Sequence, residues 1–246
     1  MPKLVDAHCH LANLSQVLPL ETPIQEAAEQ NIGHYLSSAL QRSELPWYDE
    51  HHKKFNILYS AGIHPAFDLC DLEFDDLVRL CEQGKIWAIG EIGLDRSNPD
   101  IATMKALFIK QLDLAAEFGL PVVLHIVGHQ QEAFEIMRKY PLKYLIHGYA
   151  GSLQAYRSLL SLDTWFTISN RILKEDKHDL LAGILAGGRY LFETDITQYY
   201  LKPNESNPLL RLINVIEQTS HLTGLDLNLL HRIQWENYQN LTGHKP

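Results

Sequence analysis

The chain has little that would mark it as membrane-bound, secreted or built to hold nucleic acid by charge alone. No stretch approaches the ~20 consecutive apolar residues of a membrane span. The start, "MPKLVDAHCH", has no apolar signal region before a cleavage site, so the expected location is the cytoplasm. There are only three cysteines, Cys9, Cys70 and Cys81, an odd number without paired spacing. That excludes a disulfide framework and fits a reducing compartment. Positive charge is the minority, 21 Lys plus Arg against 30 Asp plus Glu, giving a net charge of -9. The field of the whole molecule therefore repels polyanions, and a nucleic-acid partner needs a local basic patch or a metal to overcome it. Linkers, low-complexity tracts and repeats are absent from the 246 residues, which predicts a single domain over 1–246, with a monomer as the expected state.

What the sequence has is a series of short apolar runs. They are "KLVDAHCH" (3–10), "HYLSSAL" (34–40), "NILYSAGIH" (56–64), "IWAIGEIGL" (86–94), "PVVLHIVG" (121–128), "KYLIHGYA" (143–150), "TWFTISN" (164–170) and "RYLFETDI" (189–196). Each reads as a strand buried on both faces of a parallel sheet. Helical periods separate them, most clearly "MKALFIKQLDLAAEFG", where an i, i+3, i+4 apolar rhythm stops at Gly119. Two more helical patterns, "NPLLRLINVIEQTSHLTG" and "LNLLHRIQWENYQNL", follow the last run. Eight strands alternating with helices predict an α/β fold, a (β/α)8 TIM-type barrel, with a doubly wound open sheet as the alternative. "LKPNESNP" (201–208) is the most loop-like segment, placed where a barrel enzyme carries a substrate loop.

Thirteen histidines are present, and their positions matter more than their number. His8 and His10 lie two apart on one strand and so face one way. His64 ends the third run, Glu91 and Asp95 stand in the fourth, His125 in the fifth, His147 in the sixth, and Glu193 and Asp195 in the eighth. All fall near the C-terminal ends of parallel strands, which open on one face of a barrel. A lone strand histidine is more often a core or surface residue with one hydrogen bond. So many polar groups at one depth are costly in an apolar core unless something satisfies them. Imidazoles and carboxylates together form a cage for a divalent ion, and Glu91 is placed to bridge two. Asp6 is expected on the same face, deeper, fixing a histidine tautomer, with Glu193 in a similar supporting place. His51 and His52 are expected to be solvated, His129 to begin a helix, and His178, His221, His231 and His244 to lie in helices or the tail. Cys9 points away from the histidine face.

These motifs, "DAHCH", "GIHP", "GEIGLD", "PVVLH" after "QLDLAAEFGLP", "LIHGYAGS" and "LFETD", resemble in kind and order those of TatD-like metal-dependent hydrolases. The resemblance runs from about residue 4 to the "WENYQNLTG" close. It implies a barrel of the amidohydrolase superfamily with one or two divalent metal ions (magnesium, manganese or zinc). By position, His8, His10 and Asp195 match a first metal site, Glu91 a bridging acid, and His125 and His147 a second site. His64 matches a phosphate-contacting histidine, and Asp195 also a proton acceptor for the attacking water.

The implied activity is phosphodiester hydrolysis, as a 3'-5' exodeoxyribonuclease acting on DNA. Three places depart from the family pattern. Val127 stands where an H-x-R arginine is usual. Ala150 replaces a serine before Gly151, although Ser152 follows. Ile196 and Thr197 replace a small residue and a proline. Arg171 and Lys202 are alternative sources of charge, and Tyr149, Tyr199 and Tyr200 are candidates to stack on bases. The altered contacts keep open hydrolysis of a small-molecule amide or ester at the same metals, and, more remotely, a scaffold with a degenerate site.

Overall fold

Every one of the eight apolar runs becomes a strand in the computed structural model, which describes residues 2–244. They are β1 (Leu4–Cys9), β2 (Ile32–Ala39), β3 (Ile57–Ala61), β4 (Ala88–Asp95), β5 (Val122–Val127), β6 (Tyr144–Ile146), β7 (Thr164–Ile168) and β8 (Tyr190–Phe192). All pair in parallel in chain order, and β8 returns to β1, so the sheet closes into a barrel. The open-sheet alternative is thereby excluded. The helices are α1 (Leu11–Leu14), α2 (Glu21–Glu29), α3 (Leu45–His51), α4 (Phe74–Glu82), α5 (Ile101–Phe118), α6 (Gln130–Met137), α7 (Leu153–Leu160), α8 (His178–Gly187), α9 (Arg211–Thr223) and α10 (Leu227–Thr242). Asp100 caps α5 by accepting the Thr103 backbone N–H at 3.1 Å. Among the described residues no helix is long and apolar enough to cross a membrane.

β6 and β8 are shorter than their apolar runs predict. The runs continue, but the backbone turns at Gly148 and Asp195, which take left-handed conformations at φ +54° and +53°, while the Asp195 N–H still donates to the His8 carbonyl at 3.0 Å. A non-glycine residue there is uncommon and points to a locally constrained turn.

Two apolar layers result. Tyr35, Ile89, Leu124, Tyr144, Phe166 and Phe192 pack between the sheet and the helices. Val5, Ala7, Ala88, Val123, Leu145 and Leu191 fill the inside of the barrel, and Tyr238 and Leu241 of α10 join them. That helix closes the end of the barrel opposite the polar strand termini. Asn237 fastens it: its side-chain oxygen accepts from Trp165 Nε1 at 3.2 Å, and its amide donates to the carbonyls of Gly188 and Tyr190 at 2.8 and 2.9 Å. Asn237→Ala would deprive two buried groups, Trp165 Nε1 and the Tyr190 carbonyl, and the half-buried Gly188 carbonyl of this partner, and is expected to cost about 2–4 kcal/mol, since each orphaned buried group costs ~1–3 kcal/mol. A urea midpoint unchanged from the wild type would refute that role.

Asp6 is not where the alternation of β1 predicts. Val5 and Ala7 both belong to the inner layer, so Asp6 between them lies on the other side. The register of β1 on β2 then shifts between Asp6 and Cys9, and this shift turns His8 inward. The Asp6 carboxylate reaches no imidazole; it accepts from the Thr194 hydroxyl at 2.6 Å and backbone N–H at 3.0 Å, and from the His8 N–H at 3.4 Å. It stitches β1 to the segment after β8. Cys9 is buried in the outer layer, as expected. His51 and His52 are half-buried rather than solvated. Each ring nitrogen Nδ1 sits near a carbonyl of its own helix, Trp47 at 2.9 Å and Tyr48 at 2.7 Å, and His51 stacks on Trp47.

Candidate metal centre

The barrel brings all seven candidate residues to one mouth. His8 and His10 come from the end of β1, Glu91 from β4, His125 from β5, and His64, His147 and Asp195 from the segments just beyond β3, β6 and β8. Six of the seven, His8 excepted, line a cavity of about 390 Å³. Glu91 is the hub. Its Oε1 lies 3.4 Å from His8 Nε2 and 3.2 Å from His10 Nε2. Its Oε2 lies 2.7 Å from His147 Nε2, 3.6 Å from His125 Nδ1 and 3.7 Å from His64 Nε2. Asp195 Oδ1 faces the first pair, 3.5 Å from His10 Nε2 and 3.8 Å from His8 Nε2. One carboxylate thus turns one oxygen to each of two histidine sets.

The donors suit a divalent ion. His8 Nε2 and Glu91 Oε1 are buried without a hydrogen-bond partner among the described residues, although they face each other. A buried nitrogen and carboxylate oxygen left this way are costly unless a cation lies between them. The separations of 3.2–3.8 Å around Oε1 and Oδ1 also match the ~3.4 Å edge of a tetrahedron with ~2.1 Å metal bonds. His10 Nδ1 sits 3.0 Å from the Ser38 carbonyl, so Nδ1–H donates there and the Nε2 lone pair faces Glu91 and Asp195.

Asp95 does the same for His125. Its Oδ2 accepts from His125 Nε2 at 2.7 Å, which turns Nδ1 into the centre. The sequence places Asp95 near the strand ends without assigning it a partner. Its partner depends on the pairing of Asp95 with Val127 across β4 and β5, which brings its carboxylate to His125.

Protonation follows from the same contacts. Burial pushes His10 down, but Glu91 and Asp195 outweigh it and raise the ring to about 9. His125 is also raised to about 9, burial being overcome by Asp95 and Glu91. Each ring must give up a proton before it can ligate. Burial holds His64 down at about 3 and His147 at about 4. Burial would raise Glu91 and Asp195, yet the surrounding histidines hold both below the usual carboxylate range.

His64 differs from the other histidines. Its Nδ1 accepts the Ala66 backbone N–H at 3.0 Å, so the neutral ring carries its proton on Nε2, toward the cavity. That nitrogen is a donor, not a ligand. Glu193 is completely buried, with its Oε2 3.9 Å from His147 Nδ1. His129 stands at the N-terminal boundary of α6, as expected, without a side-chain capping bond. Tyr149 does not reach the mouth: it is buried, packs on Phe166, and donates its hydroxyl to the Ser152 carbonyl at 2.9 Å. Ser152 caps α7 instead of entering the site. Tyr199 and Tyr200 do line the cavity, about half exposed, and Tyr199 lies 6.3 Å from the ring of Phe67. Arg171 reaches the site, its guanidinium 2.6 Å from Asp195 Oδ2.

A family model described as TatD-related DNase matches residues 5–243. The chain is 26% identical over 245 residues to an uncharacterised metal-dependent hydrolase of Methanocaldococcus jannaschii, spanning 96% of this chain and 95% of that one. Its fold is similar to that of YjjV, a TatD homologue from Escherichia coli, with a TM-score of 0.79 at 21% identity over 99% of both chains. An amidohydrolase from Burkholderia multivorans with bound zinc shares the fold at a TM-score of 0.63 and 13% identity, over 99% of this chain and 100% of that one.

Proposed function

Because this chain belongs to the TatD-related DNase family, we propose that it is a divalent-metal-dependent hydrolase of phosphodiester bonds, a 3'-5' exodeoxyribonuclease in type. The observation that carries the reading is the division of Glu91 between two histidine sets. His8, His10, Asp195 Oδ1 and Glu91 Oε1 would hold one ion; His125, His147 and Glu91 Oε2 would hold a second. Bound there, magnesium, manganese or zinc supplies a Lewis acid and lowers the pKa of water from 15.7 toward ~7.

The chain's own residues do the rest. Asp195 orients the attacking water and takes its proton, with Oδ2 kept in place by Arg171. His64, neutral and with Nε2–H toward the cavity, donates to a phosphoryl oxygen as charge develops. Phe67, Tyr199 and Tyr200 form an apolar wall on which a base can stack.

The test uses protein stripped of metal, reloaded with magnesium, manganese or zinc, and given single-stranded DNA labelled at one end. A variant carrying Glu91→Gln and Asp195→Asn controls for contaminating nuclease. Progressive shortening that needs metal and disappears in the variant is expected. Intact DNA with metal demonstrably bound would reject the nuclease reading and favour an amide or ester as substrate at the same centre.

A further inference from the structure

Beside the metal centre, toward β7 and β8, lies a recess of about 370 Å³. It shares Arg171, Asp195 and Tyr200 with the central cavity, so one molecule can occupy both. Its charge is opposite to that of the chain. On a protein of net charge -9, the recess gathers Arg171, Lys202 and Arg211, against Asp195 as its one lining carboxylate among the described residues.

The three cations have different duties. Arg211, at the start of α9, is already matched: it pairs with Glu205, its Nε 2.7 Å from Oε1, and donates to the Tyr200 carbonyl at 2.9 Å. Glu205 in turn accepts the Lys202 backbone N–H at 3.0 Å. This latch shapes the loop after β8 and fixes where Tyr200 and Lys202 stand. The Lys202 ammonium has no ion-pair partner among the described residues, because Glu205 is taken by Arg211. Arg171 gives Asp195 one hydrogen bond and keeps further N–H donors on a side chain that is 44% exposed.

Position adds to charge. Val127 puts no cation on the β5 side of the mouth, whereas Arg171 brings one from the segment after β7. Arg171 also holds the Asp195 oxygen that turns away from His8 and His10. An anion bridging Arg171 and Lys202 would therefore lie directly beside the group under attack. A planar guanidinium with a mobile ammonium next to it suits a phosphate, which offers several acceptor oxygens at once.

We propose that this recess is a second anion subsite, in which Arg171 and Lys202 grip a phosphate next to the scissile bond. The proposal rests on the phosphodiesterase reading above. A neighbouring phosphate of a DNA chain and a phosphomonoester on a small molecule present the same chemistry to it.

Calorimetric titration of the metal-free protein with three probes tests it: the dinucleotide TpT, its 5'-phosphorylated form pTpT, and inorganic phosphate. Wild-type protein is expected to bind pTpT about tenfold tighter than TpT. Lys202→Ala, an exposed change that breaks no side-chain hydrogen bond or ion pair among the described residues, should remove most of that preference, and Arg171→Gln all of it, with circular dichroism unchanged. Competition by inorganic phosphate at the affinity of pTpT would uphold the subsite with a free phosphomonoester as its source; pTpT binding without such competition would uphold it with a DNA chain. Equal affinity for TpT and pTpT in the wild type, or a preference that survives both variants, overturns it. Hydrolysis of bis(p-nitrophenyl) phosphate by the metal-loaded protein tests the underlying reading separately, because that diester carries no second phosphate. Activity there combined with equal dinucleotide affinities would sink the subsite alone. No activity there combined with a pTpT preference that both variants abolish would sink the phosphodiesterase reading and leave the anion site standing.

Discussion

On the proposed nuclease reading, Asp195→Asn is expected to lower kcat/KM for DNA shortening by about 10²–10⁴-fold, the usual range for removing a positioned base. The carboxylate serves two neighbours at once, His8 and His10 on Oδ1 and Arg171 on Oδ2. An amide cannot serve both. With its NH2 toward Arg171 it meets another donor; with its NH2 toward the histidines it presents a donor where an acceptor is needed. Folding should survive, since the Arg171 side chain is 44% exposed and water can replace its lost partner. Steady-state kinetics beside metal content by mass spectrometry would decide the matter. A loss of less than tenfold with full metal content would remove Asp195 from both of its roles.

Gly93→Ala is expected to damage fold and site together. Gly93 pairs with His125 across β4 and β5, at φ +142°, a backbone conformation that L side chains rarely adopt. A methyl group there would press into the His125 backbone carbonyl, which belongs to the ladder and has little room to move. Overpacking in a core costs ~1–3 kcal/mol when side chains can shift, so a clash with backbone should cost about 3 kcal/mol or more. The damage falls on the strand that carries His125 and next to Asp95, which orients it. The expected result is a lowered urea midpoint together with a metal affinity reduced by tenfold or more. Wild-type stability for this variant would mean that β4 and β5 are not held as tightly as their register suggests.

The parallel sheet was legible because its strands are buried on both faces, as continuous apolar runs such as "PVVLHIVG" signal, whereas its closure was not, since an open sheet carries the same runs. The gathering of His8, His10, Glu91, His125, His147 and Asp195 at one mouth was legible for a related reason: parallel strands all end on the same face. What strict alternation missed was the irregularity in β1. A period of two puts Asp6 with His8; the register shift between Asp6 and Cys9 separates them, and nothing in "VDAHCHL" announces it. Tyr149 and Tyr200 both follow strands, yet one is buried against Phe166 and the other half exposed, a difference set by Gly148 and the loop latch and not by residue type. Arg171 lies in "SNRIL", where no periodic pattern points. Only closure of the barrel shows that its guanidinium reaches Asp195. Four-residue α1 is too short to have a period at all.

The stitch between Asp6 and Thr194 joins residues 188 apart in the chain. Until that seam forms, the strand bearing His8 and His10 has only β2 beside it, and Asp195 has no barrel to turn into. Contacts of such long range are entropically late and slow to nucleate. During synthesis, then, a nascent chain with most of its barrel emerged would still show two unsheltered histidines and no assembled centre. Metal capture and hydrolytic competence would arrive together in a late step, so half-made protein would hold no working centre.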